Sequence, residues 1–324
     1  MAPEAAPRED PLAGYGVEVS PPRQGIPDFD YAEAFSRNRG LVTEGEQARF
    51  RSTRVAVAGL GGVGGVYVLA LARLGIGRFA LADLDTFELA NMNRQAGAAL
   101  QSLGRPKVDV MAEAAWAINP TADIRLFPEG IHDANVDQFL DGALAVVDGL
   151  DFFNMGARRL LFRAARERGV FALTSAPIGF GGTLHVFSPT GMGFDEYFDL
   201  RDEMSLPEQL VHFGLGLAPK LAHMPYFPPR ELDLEDRRAP STSAACFLCA
   251  GLVTTEIANL VMRRREPRVA PWFFQFDPMV QAYKVGRLRG GNRNPVQRIK
   301  KWWVLRTNPR LRSAIRGAAC QTRP

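Results

Sequence analysis

The stretch Arg54-Val55-Ala56-Val57-Ala58-Gly59-Leu60-Gly61-Gly62-Val63-Gly64-Gly65 decides the fold. Arg54 to Ala58 alternates and then turns wholly apolar, as a strand buried on both faces does. A glycine loop follows, and Val66 to Leu74 has the apolar spacing of a packed helix. Strand, glycine loop and helix in that order fit the nucleotide-binding fingerprint. Gly59 permits the tight turn, Gly61 lets backbone approach a phosphate, and Gly64 lets helix and strand pack closely. The helix N-terminus then offers N–H groups without internal partners to an anion. Gly59, Gly61, Gly62 and Gly64 are therefore nucleotide-binding candidates; the bland alternative is a glycine turn with no ligand.

Downstream, strands are predicted at Arg78 to Ala82, Asp123 to Phe127, Leu144 to Val147 and Phe171 to Ser175, with helices at Val108 to Ile118 and Arg158 to Arg168. Alternation of this kind implies a Rossmann-like, doubly wound, mostly parallel α/β sheet. Thr183 to Ser188, behind a Gly-Gly pair, reads as a hairpin strand that begins a C-terminal antiparallel extension. The Pro-rich segment Gly191 to Pro240 reads as a long loop or lid, and Ala244 to Arg263 as a long apolar helix. Asp83, at the end of the second strand, is placed to accept from ribose hydroxyls.

Four further elements separate the chain from an ordinary dinucleotide-binding enzyme. Asp83-Leu84-Asp85 leads to Asn91-Met92-Asn93-Arg94-Gln95, then to Gly104-Arg105-Pro106-Lys107, and later to Asp148-Gly149-Leu150-Asp151 at a strand end. With the glycine loop, these resemble in content and order the ThiF/MoeB/HesA family, the adenylylating core shared with ubiquitin-activating enzymes. The resemblance covers roughly Phe35 to Leu288. It implies Mg-ATP as the nucleotide, with Asp83 holding the ribose, Asn91, Arg94 and Lys107 on the triphosphate, and Asp85 and Asp148 as further nucleotide-binding candidates. Asp151 would hold Mg²⁺. The residue types suit the chemistry: attack on an α-phosphate builds charge that Arg and Lys stabilise, and Mg²⁺ takes oxygen ligands. Otherwise Arg94 and Lys107 are solvated surface charges, and Asp148 caps a turn. Phe152 stands where the family usually has Asn.

Upstream, Ser36-Arg37-Asn38-Arg39 before Gly45-Glu46-Gln47 resembles a segment from which an Arg of one subunit reaches its partner's ATP, with Gly40 replacing the usual Gln. Arg39 is the matching residue, which implies a homodimer. Many members hold structural zinc through two Cys-x-x-Cys pairs; here only Cys246 and Cys249 have that spacing, and a tetrahedral site needs four ligands. No structural zinc is therefore expected. Cys246, at a helix start, is the nearest candidate for a thioester-forming thiol, against the commoner buried structural one.

The expected activity is ATP-dependent adenylylation of a carboxylate, such as the C-terminus of a ubiquitin-like sulfur carrier or a peptide. The competing readings are a nicotinamide or flavin oxidoreductase, which would leave Arg94, Lys107 and Asp151 unused, and a non-catalytic nucleotide-binding module.

Composition bounds the rest. Three Cys argue against a disulfide framework and suit a reducing cytoplasm. Met1 to Pro27 lacks the apolar stretch of a signal peptide, and residues 1–29 read as a disordered leader ahead of a body at 30–292. Nine Lys or Arg and no Asp or Glu fall in Arg293–Pro324, so the rest of the chain, residues 1–292, carries −5 against the whole chain's +4. That basic tail, with Trp302 and Trp303, is expected to dock on an acidic partner, an anionic membrane or RNA; the plainer alternative packs its Trp pair on the body. No DNA partner is expected.

Overall fold

The computed structural model describes residues 17–19, 28–227 and 240–321. Ten strands form one sheet: β1 (Val17–Val19), β2 (Arg54–Ala58), β3 (Arg78–Ala82), β4 (Asp123–Phe127), β5 (Ala143–Asp148), β6 (Phe171–Thr174), β7 (Pro177–Ile178), β8 (Gly181–Phe187), β9 (Trp272–Asp277) and β10 (Ala282–Arg287). Their order is β1-β4-β3-β2-β5-β6-β8-β9-β10, with β7 paired to β8 off this path. Strands β2 to β6 are mutually parallel, and the flanking pairs are antiparallel. This is the doubly wound sheet with an antiparallel extension that the sequence implies. From β2 the chain builds outward through β3 and β4, then returns to place β5 on the other side of β2. The crevice beyond the carboxyl ends of β2 and β5 is therefore the topological switch point, where such sheets bind ligands.

The helices are α1 (Tyr31–Ala34), α2 (Glu44–Ser52), α3 (Gly62–Leu74), α4 (Lys107–Ile118), α5 (Val136–Leu140), α6 (Met155–Glu167), α7 (Phe194–Phe198), α8 (Leu206–Leu217), α9 (Ser243–Met262), α10 (Pro295–Thr307) and α11 (Pro309–Gln321). The period-two side-chain alternation of the strands sorts them into two cores. Val55, Val57, Phe79, Leu81 and Val147 face α3, α4 and α9. Ala56, Ala58, Ala80 and Ala82 face the other way, where their small size leaves room for Phe139, Phe162, Phe198 and Phe213. Helix α9 is apolar and long enough to cross a membrane, with mean hydropathy 1.7, but Cys246, Cys249, Val253 and Ile257 lie buried in the first core.

Three expectations change. Residues 17–19, within the stretch read as a disordered leader, pair with β4; residues 1–16 and 20–27 of that stretch lie outside the described residues. The segment read as a loop at Gly191 to Pro240 contains α7 and α8, with residues 228–239 outside the described residues. Pro207 occupies the first turn of α8, where its missing N–H costs no hydrogen bond, so here a proline marks a helix start. The basic tail is two helices packed on α8, because Val304 and Leu311 form a buried cluster with Val211 and Leu215. Trp302 and Trp303 stay largely on the surface, so aliphatic side chains, not the Trp pair, anchor the tail.

Candidate functional site

At the switch point β2 ends in the glycine loop. Gly59 has φ +84°, and a Cβ there would lie 2.4 Å from the Gly149 carbonyl oxygen; one at Gly64 would lie 1.7 Å from the Gly59 oxygen. Both positions therefore require glycine, because backbone on either side leaves no room. Gly61 caps α3 without any side-chain hydrogen bond, so the first amides of α3 point outward as an anion cradle.

Around that cradle lies a cavity of about 470 Å³ lined by Gly59, Gly61, Gly62, Asp83, Asp85, Arg94, Lys107, Asp148 and Asp151. Nine of the candidate residues thus share one space. Gly64 lies beneath it, holding α3 to β2. Asn91 is not on its wall: the Asn91 side-chain oxygen accepts from the Glu88 N–H at 3.0 Å and builds the turn that delivers Arg94 and Gln95. The expected triphosphate contact of Asn91 stands beside this local role, which occupies its side-chain oxygen. Arg39 is exposed and outside the cavity.

Asp83 accepts from the Leu60 N–H at 2.6 Å and from the Asp85 N–H at 2.9 Å, tying the end of β3 to the glycine loop. Burial raises its pKa above the usual carboxylate range despite those two donors. The Lys107 ammonium is buried and paired to the more exposed Asp85 at 3.0 Å, which leaves further N–H donors of its three for a ligand. Arg94 donates through Nη1 to the Ala90 carbonyl and to Asn93. Asp151 is exposed; its Oδ1 accepts from the Phe153 N–H at 2.9 Å.

Asp148 differs from these. It is buried, and accepts from the Leu150 N–H at 3.1 Å, from Arg158 Nε at 2.8 Å and from Thr174 Oγ1 at 2.9 Å. Those bonds hold both of its oxygens, so its main role is to organise the wall. Arg158 is the residue that sequence reasoning missed. Its guanidinium also donates to the carbonyls of Leu150 and Asp151 and lies 4.6 Å over the Phe213 ring. An Arg inside a predicted helix, ten residues after an Asp, carries no signal distinguishing it from a surface charge.

Cys246 lies under the cradle: a Cβ at Gly62 would meet its Sγ at 3.0 Å. It is fully buried, and that burial raises its thiol pKa, against the helix-start activation considered for it. Cys249 is pushed up by burial to about 12. Neither environment favours a thiolate.

For a bound ATP and Mg²⁺ the fit is direct. The cradle and two cations suit phosphate oxygens, and Asp151 offers one carboxylate towards a metal otherwise held by phosphates. No group of three or more metal-ligating side chains occurs among the described residues, so protein ligands alone would not complete a metal site.

Comparison with known proteins agrees with this geometry. The model of the ThiF family matches residues 35–298. The tRNA threonylcarbamoyladenosine dehydratase of Bacillus subtilis is 37% identical over 118 residues, 36% of this chain and 46% of the relative. The sulfur carrier protein ThiS adenylyltransferase of Escherichia coli is 29% identical over 149 residues, 46% of this chain and 58% of the relative. The chain spans about half the length of these relatives. Among solved structures, PaaA superimposes with TM-score 0.60 at 18% identity, over 83% of this chain and 87% of that one. E. coli MccB with ATP gives 0.60 at 16%, over 85% and 75%. At such identities the structural likeness speaks for the fold.

Proposed function

The chain belongs to the ThiF family, and from that premise we propose that it is an ATP-dependent adenylyltransferase that activates a carboxylate. The observation that carries the reading is the meeting of Arg94, Lys107 and Asp151 on one cavity with the open amides of α3. A hydride-transfer enzyme has no use for two cations and a carboxylate placed there.

In the proposed reaction an acceptor carboxylate oxygen attacks the α-phosphorus of ATP. A P–O bond to the acyl group forms, the bond between α-phosphorus and bridging oxygen breaks, and pyrophosphate leaves with the electron pair. The amides of α3 hold phosphate oxygens, while Asp83 sits beside the ribose. Arg94 and Lys107 face the charge that develops as pyrophosphate departs. Fixed donors aimed at developing charge are the largest single contribution in reactions of this type. Asp151 would hold Mg²⁺, whose chemistry is to neutralise phosphate charge. Arg158 keeps the loop that carries Asp151 in place.

As acceptor we take the C-terminus of a carrier protein or peptide, which the names of the sulfur-carrier adenylyltransferases among the relatives support. Arg39, exposed and outside the cavity, fits supply in trans within a homodimer. The test is exchange of labelled pyrophosphate into ATP over a panel of carboxylates. Carboxylate-dependent exchange is expected. A nicotinamide or flavin that co-purifies, with no exchange, would overturn the reading; ATP binding without exchange would point to a non-catalytic module.

A further inference from the structure

The cavity continues well past the residues assigned to the nucleotide. Beyond Phe152 its wall passes to α8, where Phe213 lies with its ring centre 5.6 Å from that of Phe152, and on to Leu210 and Leu217. Met224 closes one side. Val304 of α10 and Leu311 of α11 close another, so the C-terminal helices are part of the chamber.

The chemistry of this half is the reverse of the first. Among the described residues, all the carboxylates and cations on the cavity lie at or before Arg158 in the chain. Arg158 itself is committed to Asp148 and to three loop carbonyls, so its charge is spent within the wall. His223 is the one titratable side chain among the described residues beyond that point. Burial lowers its pKa and so favours the neutral ring, and its Nδ1 has no hydrogen-bond partner. A charged group entering this half would lose hydration with no charged side chain among the described residues to pair it, whereas an apolar group would gain by leaving water.

The two halves also sit on opposite sides of the switch point. Leu84 and Ile131, near the ends of β3 and β4, flank Asp83, where a nucleoside belongs. The α8 side lies beyond β5 and β6, and an acceptor approaching the α-phosphate from there would leave its side chain in the apolar chamber.

We propose that the apolar chamber between α8, α10 and α11 is the acceptor site, and that it selects a carboxylate carried by a bulky, uncharged, apolar residue over one ending in a bare glycine or an acidic side chain. This rests on the adenylyltransferase reading and deepens it. The C-terminal helices then act in acceptor selection as well as in packing.

Full-length protein is tested with N-acetylglycine, N-acetyl-leucine, N-acetylphenylalanine and N-acetylglutamate as probes in pyrophosphate exchange, with ATP affinity titrated separately by calorimetry. The leucine or phenylalanine probe should exceed the glycine probe in kcat/KM by at least about tenfold, as for side chains discriminated by an apolar pocket. Met224→Arg, at a half-buried site, should lower exchange with the leucine probe at least about tenfold, raise it with the glutamate probe, and leave ATP affinity unchanged. No ATP binding at all would sink the adenylyltransferase reading itself. With ATP bound, equal use of the glycine probe, or no exchange with either apolar probe, would overturn the chamber's role. So would a Met224→Arg protein whose ATP affinity falls in step with its exchange, since the chamber would then hold the nucleobase.

Discussion

Arg158 Nε donates to Asp148 Oδ2 at 2.8 Å, and both side chains are only 2% exposed. The pair joins α6 to the end of β5, and the remaining guanidinium donors fasten the carbonyls of Leu150, Asp151 and Phe152. The loop that presents Asp151 is thus set by an ion pair lying entirely within the protein. The Asp148-x-x-Asp151 spacing divides its labour: the first carboxylate anchors the loop from inside, and the second faces the cavity.

Replacing Arg158 by Ala should therefore cost far more than a surface Arg. It strands the Asp148 charge in the interior, a change that typically costs about 3–5 kcal/mol. Urea unfolding checks this, and a loss below about 1 kcal/mol, the range of exposed pairs, would contradict the arrangement. Arg158→Lys keeps the charge and loses the planar fork, so an intermediate loss is expected.

Lys107→Ala and Asp151→Ala should each lower pyrophosphate exchange by about 10²- to 10³-fold, the usual effect of removing one preorganised charge at a transition state. Neither should unfold the chain. Asp85, the partner that Lys107 leaves behind, is 57% exposed and remains hydrated, and Asp151 is exposed already. Circular dichroism separates the two effects; exchange at the wild-type rate in both variants would remove these residues from the reaction.

The glycines of the loop should respond differently to a single methyl group. Gly59→Ala places a Cβ 2.4 Å from a backbone oxygen at φ +84° and should destabilise the protein sharply. Gly61→Ala meets only the Gln95 side chain, at 3.6 Å. Its melting temperature should stay near that of the wild type, while ATP binding weakens because the cradle is partly filled. Melting curves and ATP titration of both proteins decide it; equal loss of stability in both would show that the loop has no open face.

Glu46 gives a prediction in pH. Its carboxylate accepts from Arg264 at 2.8 and 2.5 Å and from the Thr43 backbone N–H at 2.8 Å, tying the start of α2 to the segment just after α9. The Arg264 guanidinium and the Thr43 donors hold its pKa down at about 2, below its ordinary value of 4.5. A carboxylate whose folded pKa is depressed stabilises the fold above its unfolded pKa and loses that contribution as pH falls towards the folded one. Glu46→Gln should thus melt earlier than wild type at pH 7, and the gap should close between pH 4.5 and about 2. A gap independent of pH would mean that the ion pair contributes nothing.

The parallel sheet was legible because Val55, Val57, Phe79, Leu81 and Val147 repeat on one face while glycine follows β2 at Gly59 and β5 at Gly149. The cavity's polar wall was legible for a similar reason: Asp83, Asp85, Arg94, Lys107 and Asp151 lie in short segments attached to strand ends, so order along the chain maps onto order around the crevice. What was not legible depends on contacts between distant segments. Arg158 becomes a buried anchor only because α6 docks behind β5. Val304 and Leu311 line a cavity only because two helices fold back on α8, and among so many Lys and Arg their apolar spacing was outweighed by charge. Pro207 lies in a Pro-rich stretch that reads as a loop, since its place in a first helical turn shows only once the helix is there.

Arg39 tests assembly. It is exposed, lies outside the cavity and follows a short turn in which Asn38 donates to Gln47 and to the Leu74 carbonyl, so its backbone is firmly placed although it does not line its own cavity. If it completes the site of a partner subunit, Arg39→Ala and Lys107→Ala are each inactive alone but complement each other. A mixed dimer has one site lacking both residues and one that has its own Lys107 and its partner's Arg39. Random pairing makes half of the dimers mixed, and half of their sites intact, so co-expression should recover at most about a quarter of wild-type exchange. Light scattering should find a dimer throughout. Failure of the mixture to recover any exchange, or full activity in a monomer, would place Arg39 outside the reaction.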